Sequence, residues 1–397
     1  MRHSCPRDRT TGGIWRLDVL AGVLAAMLDV PTLAMKRPGG GLVTAAWVLF
    51  AAGTATAQSQ ARTPAPIEIA QQGSFMVGGT VVTNPGTFDP SDPTPAGQTV
   101  HGDHAYVRYQ IPVNPRRLPL VMWHGGAQSS KSWETTPDGR EGFQNIFLRR
   151  GFATYIIDQP RSGGASRTTE LAARQPPQGR FGEQAIFTGF RLGIWPDLFP
   201  GVQFSRDPAA LEQFWRQQVP NTAALDEKVF VDATVALFEK IGSASLVTHS
   251  ASGVMGWRTA IRTDHVRGIV AYEPVGFLFA ESEIPAPVPS KGGDTVGTPV
   301  PLAEFQKLTR IPIQLVFGDN IPSAPSPIAA LDAWRGRLEM ARRFVAAIKA
   351  HGGDAELLHL PSIGVRGNTH FPFSDLNNVR VADLLADYLQ RKHLDRR

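Results

Sequence analysis

Cysteine is almost missing from this sequence: its 397 residues contain one, Cys5. A single cysteine provides no disulfide framework, and we interpret Cys5 as inert. The fold must therefore be held together by an apolar core, and a chain of this length with 42% hydrophobic residues can build one. Export is still compatible with this composition, because a secreted domain with a large core can fold without disulfides.

Charged residues are also few, at 19% of the chain, and the formal charge of +5 comes mainly from the N-terminus. Residues 1–57 contain six of the 40 Lys and Arg residues and three of the 35 Asp and Glu residues, which leaves 34 basic against 32 acidic residues. This small surplus supplies no basic patch for a nucleic acid. We therefore expect no nucleic-acid partner.

A long apolar run is missing from the N-terminal region. The run at 42–52 is well short of the ~20 residues that a membrane-spanning helix needs. It follows a basic start at Met35-Lys36-Arg37 and precedes Ala55-Thr56-Ala57, a small-x-small cleavage signature. These features predict a signal peptide over 35–57, an over-extended N-terminus over 1–34, and a secreted or periplasmic protein with no stable membrane span after cleavage. An uncleaved membrane anchor is the alternative.

Strand and helix patterns alternate from residue 67 to residue 397, after a predicted linker at 58–66. Continuous apolar runs bounded by turn residues are typical of strands buried on both faces, as in a parallel sheet. Amphipathic patterns between them predict helices. The sequence therefore predicts one α/β domain with a mostly parallel central sheet flanked by helices. The strand runs lie at 104–112, 118–126, 152–166, 244–250, 268–274, 311–319 and 355–361, and the helix patterns at 141–151, 222–242, 330–353 and 381–393.

One stretch, residues 167–221, interrupts this alternation. It reads as irregular and rich in aromatic residues, among them Phe187, Phe190 and Phe214. A long insertion between two core strands is usually functional or disordered, and this one is too aromatic for disorder. We interpret it as a cap over a pocket. The alternative is an extra packing layer that does not contact substrate.

The stretch "SLVTHSASGVMG" (245–256) carries the first chemical signal. An apolar run stops at Ser250, and a helix pattern resumes directly afterwards, which is the arrangement of a nucleophile elbow. The usual pattern is Gly-x-Ser-x-Gly, whereas Thr248 and Ser252 occupy the outer positions here. Centring the motif on Ser252 fits less well, because Val254 would then take an outer position. On the motif alone, both serines could simply cap the helix.

A serine nucleophile needs a base and an orienting acid. His370, in a loop after the last predicted strand, has the appropriate order along the chain. For the acid, Glu273 ends the strand that follows the elbow helix, and Asp319 follows Gly318 at the next strand. We favour Glu273, and Asp319 is the alternative.

Two backbone N–H groups should stabilise the oxyanion. We expect them from Ala251, after the nucleophile, and from Gly126 in the loop "HGGAQSS", with Ala127 as the next choice. His101 and His104 flank a Gly-Asp pair without further ligands nearby, so we expect no metal site there. No organic cofactor is expected.

With these motifs in place, the sequence resembles the α/β-hydrolase superfamily from about His104 to the last helix, through "VMWHGGAQSS", "YIIDQPRSGGAS" and "THSASG". It is similar, more narrowly, to secreted bacterial esterases whose triad acid is a Glu after the sixth strand. "WETTPDGREGF", "AYEP" and "GNTHFPFSDLNN" carry that likeness. The resemblance implies Ser250 as nucleophile, Glu273 as acid and His370 as base, and it makes a homodimer possible. Disulfides found in that branch cannot form in a chain whose one cysteine is Cys5.

These observations predict a serine hydrolase that cleaves small-molecule carboxylic esters through an acyl-enzyme. The aromatic insertion favours a hydrophobic or aromatic ester. One alternative is hydrolysis of a lactone, an amide or a carbon–carbon bond by the same fold. Another is a non-catalytic binding protein, which the departures at Thr248 and Ser252 keep open.

Overall fold

The computed structural model describes residues 65–170 and 182–397. The predictions for residues 1–34, for the signal peptide at 35–57 and for most of the linker at 58–66 lie outside the described residues. So does the part of the insertion between 171 and 181. Within the described ranges, no helix combines the length and the apolar character needed to span a bilayer.

Twelve strands are found in the described residues, and eight of them form one central sheet. In chain order they are β1 (Ile69–Thr83), β2 (Thr99–Pro112), β3 (Leu120–Trp123), β4 (Thr154–Asp158), β5 (Gly193–Ile194), β6 (Asp197–Leu198), β7 (Ala244–His249), β8 (Val266–Tyr272), β9 (Leu278–Ala280), β10 (Thr298–Val300), β11 (Ile313–Phe317) and β12 (Ala355–His359). The central sheet has the order β1-β2-β4-β3-β7-β8-β11-β12. Its pairs from β4 to β12 are parallel, whereas β2 runs antiparallel to both of its neighbours.

Eight α-helices connect or flank these strands in the described part of the chain. They are α1 (Phe143–Arg149), α2 (Glu183–Gly189), α3 (Pro208–Arg216), α4 (Glu227–Ile241), α5 (Ser252–Arg262), α6 (Leu302–Leu308), α7 (Ala329–Ala350) and α8 (Asn378–Arg391). Local sequence sets their ends. Helix α4 begins where the Asp226 carboxylate accepts the N–H groups of Lys228 and Val229, and it ends at Gly242, whose φ of 80° suits glycine.

The central strands are apolar on both faces because the sheet separates two cores. Consecutive residues of a strand point to opposite sides, so Leu246 and Ile269 enter one core while Val247 and Val270 enter the other. The first core is covered by α4, α5, α6 and α7, and the second by α1, α8 and the insertion. The prediction of an α/β fold with a mostly parallel sheet flanked by helices is confirmed.

Two features of the fold differ from the sequence expectation. Strand β1 was not anticipated, because most of its side chains are exposed and its sequence lacks a buried apolar run. The insertion is not irregular: its described part contains α2, the β5–β6 hairpin and α3. Aromatic side chains of these short elements, such as Phe187 and Phe214, pack into the second core, so tertiary packing rather than local periodicity orders them.

Candidate active site

The carboxyl ends of three neighbouring parallel strands bring the predicted residues to one edge of the sheet. Ser250 follows β7 and Glu273 follows β8, and these strands pair in register with His249 opposite Tyr272. Gly318 follows β11, the next strand along. Loops at this edge of an open α/β sheet commonly form binding sites.

Ser250 occupies the sharp turn that the sequence predicted. Its φ is 54°, in the left-handed region that residues other than glycine rarely adopt. The turn is fixed on both sides, because the Ser250 N–H donates to the Tyr272 carbonyl at 2.9 Å and helix α5 begins two residues later. Strain of this kind persists only where the surroundings enforce it, and it is concentrated at functional sites.

The departure from glycine at Thr248 has a steric counterpart in the helix. A Cβ placed on Gly256 would lie 2.8 Å from Cγ2 of Thr248, which is closer than real Cβ atoms pack. Gly256 in α5 therefore provides the space that Thr248 occupies. The fold keeps the elbow tight with a glycine outside the usual five-residue motif.

Ser252, the second serine of the motif, is fully buried. Its hydroxyl lies 3.0 Å from the Trp123 carbonyl and 2.9 Å from the His249 carbonyl, and it accepts the His249 N–H at 2.9 Å. The group has no free face for a substrate. These contacts tie β3, the elbow and α5 together, so Ser252 has a structural position, whereas Ser250 remains partly exposed.

His370 and Glu273 are in direct contact. Nδ1 of His370 lies 3.1 Å from Oε2 of Glu273, and both side chains are buried. The other carboxylate oxygen, Oε1, accepts the Gly318 N–H and Nη2 of Arg191, each at 2.5 Å. Glu273 itself has a φ of 52°, so a second strained residue lies beside the elbow.

Asp319, the alternative acid, does not face the imidazole in this arrangement. Its carboxylate accepts the Asn320 N–H and the Gly367 N–H, each at 2.7 Å. Asp319 thus orders the loop that leads to His370, while Glu273 contacts the ring. The proximity of Asp319 to the strand end accounts for this placement.

The charge state of the acid is set by its surroundings. Burial alone would raise the pKa of Glu273, but the Arg191 cation and the His370 contact lower that pKa to about 2. For His370, burial has the largest effect and lowers the pKa to about 4, with Arg191 and Arg337 acting in the same direction and Glu273 opposing them. At neutral pH the pair is therefore a carboxylate next to a neutral imidazole.

Aromatic rings hold the imidazole in place. The Phe190 ring stacks on His370 with a centroid separation of 5.0 Å, and the Trp334 ring lies 4.5 Å away. His249 completes the enclosure, since its ring lies 4.5 Å from that of His370 and its Nε2 is 2.9 Å from the His370 carbonyl. Within the described residues, Nε2 of His370 and the Ser250 hydroxyl have no hydrogen-bond partner. The hydrogen bond between a catalytic hydroxyl and its base is often long or absent before a substrate binds.

The two predicted oxyanion donors lie on adjacent loops. A Cβ placed on Gly126 would lie 3.6 Å from Cβ of Ala251. In the part of the chain that the structure covers, neither of their N–H groups donates to another group. Ala127 adopts a φ of 55°, and its carbonyl accepts the Val219 N–H of the insertion at 2.9 Å.

Sequence reasoning missed Arg191 and Trp334. Arg191 lies in the insertion, outside any motif. Trp334 lies in α7, where a tryptophan is normally expected to be an ordinary core residue. The only available signal was the aromatic content of the insertion, which led to a cap interpretation without identifying a charged residue. Their relation to the site becomes visible only in the folded chain, where residues 189–191 lie against the His370 loop and against Trp334.

Comparisons with known proteins agree with the fold. The chain is similar to a bacterial esterase solved at atomic resolution, with 33% identity, a TM-score of 0.66, and coverage of 83% of this chain and 99% of that one. It is also 28% identical over 317 residues to phiG, a probable secreted lipase of a fungus (Fungal sp., strain ATCC 74256), covering 72% of this chain and 86% of the relative. No protein-family model matches the chain.

Proposed function

The chain belongs to the α/β-hydrolase superfamily, and on this basis we propose that it hydrolyses carboxylic esters through an acyl-enzyme formed on Ser250. The observation that carries the proposal is the contact between His370 Nδ1 and the Glu273 carboxylate, located beside a serine in an elbow turn. The similarity to a bacterial esterase and to a probable secreted lipase supports an ester as the substrate.

The tautomer of His370 follows from its partner. An ionised carboxylate can only accept, so Nδ1 carries the proton that it donates to Glu273. Nε2 is then the unprotonated nitrogen, free to remove the Ser250 proton as the hydroxyl attacks the ester carbonyl. The imidazolium that forms is stabilised by Glu273, whose pKa of about 2 keeps it ionised.

The tetrahedral intermediate carries its negative charge on the former carbonyl oxygen. The N–H groups of Gly126 and Ala251, which donate to no other group within the described residues, are suited to bind this oxygen. Collapse of the intermediate breaks the carbon–oxygen bond to the alcohol, which leaves with the proton from His370. Water then attacks the acyl-enzyme, and the same groups return the protein to its starting state.

A pair of serine variants tests the nucleophile. Ser250→Ala should abolish covalent labelling by a fluorophosphonate and turnover of nitrophenyl esters. Ser252→Ala, two residues away, should keep both. Labelling that survives in Ser250→Ala, or that disappears only in Ser252→Ala, contradicts the assignment. No labelling of the parent protein would favour a binding protein instead.

The acid is tested by Glu273→Gln against Asp319→Asn. Losing the orienting carboxylate should reduce kcat by up to ~10⁴-fold, as in other triads. Asp319→Asn should change turnover much less, because its carboxylate binds backbone N–H groups rather than the imidazole. A large loss confined to Asp319→Asn would refute the assignment of Glu273.

We further propose that the protein is exported and cleaved after Ala57. The pattern over 35–57 and the printed description of the similar lipase as secreted support this. The N-terminal sequence of protein recovered from the periplasm or medium should begin near Gln58. Recovery of an intact chain that retains residues 35–57 would overturn the proposal.

A further inference from the structure

The insertion supplies a buried cation to the acid of the proposed triad. Nη2 of Arg191 lies 2.5 Å from Oε1 of Glu273, and neither side chain is exposed to solvent. Nε of Arg191 donates to the Asp319 carbonyl at 2.8 Å, and the Arg191 guanidinium lies 4.6 Å from the centroid of the Trp334 ring. Arg191 is thus fixed from three directions.

The two oxygens of the Glu273 carboxylate have separate partners. Oε1 is held by Arg191 and by the Gly318 N–H, which leaves Oε2 for His370. A carboxylate held at one oxygen by a guanidinium and a backbone donor cannot rotate away from the imidazole. Without the cation, a carboxylate in this buried position would be costly to ionise.

We propose that Arg191 is a positioning residue, which acts through Glu273 to fix the orientation of His370 and to keep the acid ionised. This inference rests on the proposed function, because it assigns a role within the same triad. It also gives the insertion a role apart from the predicted cap: the insertion completes the charge arrangement on which His370 depends.

The neighbouring charged groups determine the expected pH behaviour. Arg191 from the insertion and Arg337 from α7 oppose protonation of His370, and Glu273 favours it. The buried His249 on the elbow side has its pKa held well below the usual range, so it is neutral. On the His370 loop, burial raises the pKa of Asp375 to about 7. Removing the Arg191 charge should therefore raise the pKa of His370 and that of Glu273 together.

The test compares Arg191→Met and Arg191→Lys with Arg161→Met. Arg161 is a matched control, because it is also a buried arginine paired with a buried carboxylate. Its partner is Asp103, which is not part of the triad, and the two side chains lie 2.8 Å apart. In Arg191→Met we expect kcat on nitrophenyl acetate to fall about 10- to 100-fold with little change in KM. The acid limb of its pH profile should move to higher pH. Lysine should restore part of both, whereas Arg161→Met should lose stability without moving the limb.

A direct titration separates this inference from the ester-hydrolase proposal. The His370 imidazole can be followed by NMR in the parent and in Arg191→Met, with no substrate present. A higher pKa in the variant supports the role even if no ester is turned over. An unchanged His370 titration in a folded Arg191→Met protein, or equal acid limbs for Arg191→Met and Arg161→Met, overturns it. If Arg191→Met does not fold, Arg191→Gln, which also removes the charge, carries the decision.

Discussion

Two neighbouring glycines in the "HGGAQSS" loop should differ in their response to the same substitution. A methyl group on Gly125 would lie 2.8 Å from Nδ1 of His249 and 3.0 Å from Cβ of Ser250. Both atoms belong to the elbow, so the loop or the elbow must shift. A methyl group on Gly126 would meet Cβ of Ala251 at 3.6 Å, an ordinary van der Waals contact. Neither glycine has a positive φ, so the difference is purely steric.

Overpacking of this kind costs about 1–3 kcal/mol of stability. A displacement of about 1 Å between nucleophile and base can cost ~10²-fold in rate. We therefore expect Gly125→Ala to lower the midpoint of urea unfolding and to reduce kcat/KM on nitrophenyl acetate about 100-fold. Gly126→Ala should stay within a few-fold of the parent in rate and unchanged in stability. Full activity and stability in Gly125→Ala would show that the loop does not press against the elbow as described.

Four further outcomes are expected. Ser252→Ala should lower the free energy of unfolding by about 1–3 kcal/mol in urea titrations, because buried partners lose their hydrogen bonds. Only neutral His370 can act as base, and its pKa is about 4. We therefore expect kcat/KM to be constant above pH 4 and to fall below it, and a fall in kcat/KM that begins near pH 6.5 would refute this expectation. Asp375 has its pKa raised to about 7 by burial, so its ionisation destabilises the folded state as pH rises from about 4 to about 7. The free energy of unfolding of Asp375→Asn should therefore rise by up to about 4 kcal/mol relative to that of the parent between pH 4 and pH 8. Denaturation at both pH values measures this difference. Gly256→Ala should destabilise by about 1–3 kcal/mol, and Thr248→Ala should relieve that loss in the double variant, since the two side chains compete for one space.

The sequence was sufficient for the parallel part of the fold. Strands β3, β7, β8 and β11 of the central sheet are buried on both faces, so their apolar runs are continuous and visible. Strand β1 has no such signal, because it lies at an edge with most side chains in solvent. The insertion was misread as irregular because its short helices are stabilised by aromatic packing against the second core.

The candidate triad could be predicted from the order of its residues along the chain. A serine at the end of a strand, an acid after the next strand and a late histidine predicted Ser250, Glu273 and His370, and the structure places the last two in contact. The choice between Glu273 and Asp319 needed coordinates, because only they show which carboxylate faces the ring. Arg191 could not be found at all, since no pattern near it distinguishes a buried cation from a solvated one.

Residues 189–191 of the insertion form hydrogen bonds with three different parts of the structure around the candidate site. The Gly189 carbonyl accepts Nε1 of Trp334, the Phe190 carbonyl accepts the His370 N–H, and Arg191 binds Glu273. An engineer who exchanged this insertion for one from another hydrolase, in order to change which esters are accepted, would also remove the groups that hold His370 and Glu273. Redesign of selectivity should therefore keep residues 189–191 and vary the surrounding aromatic side chains.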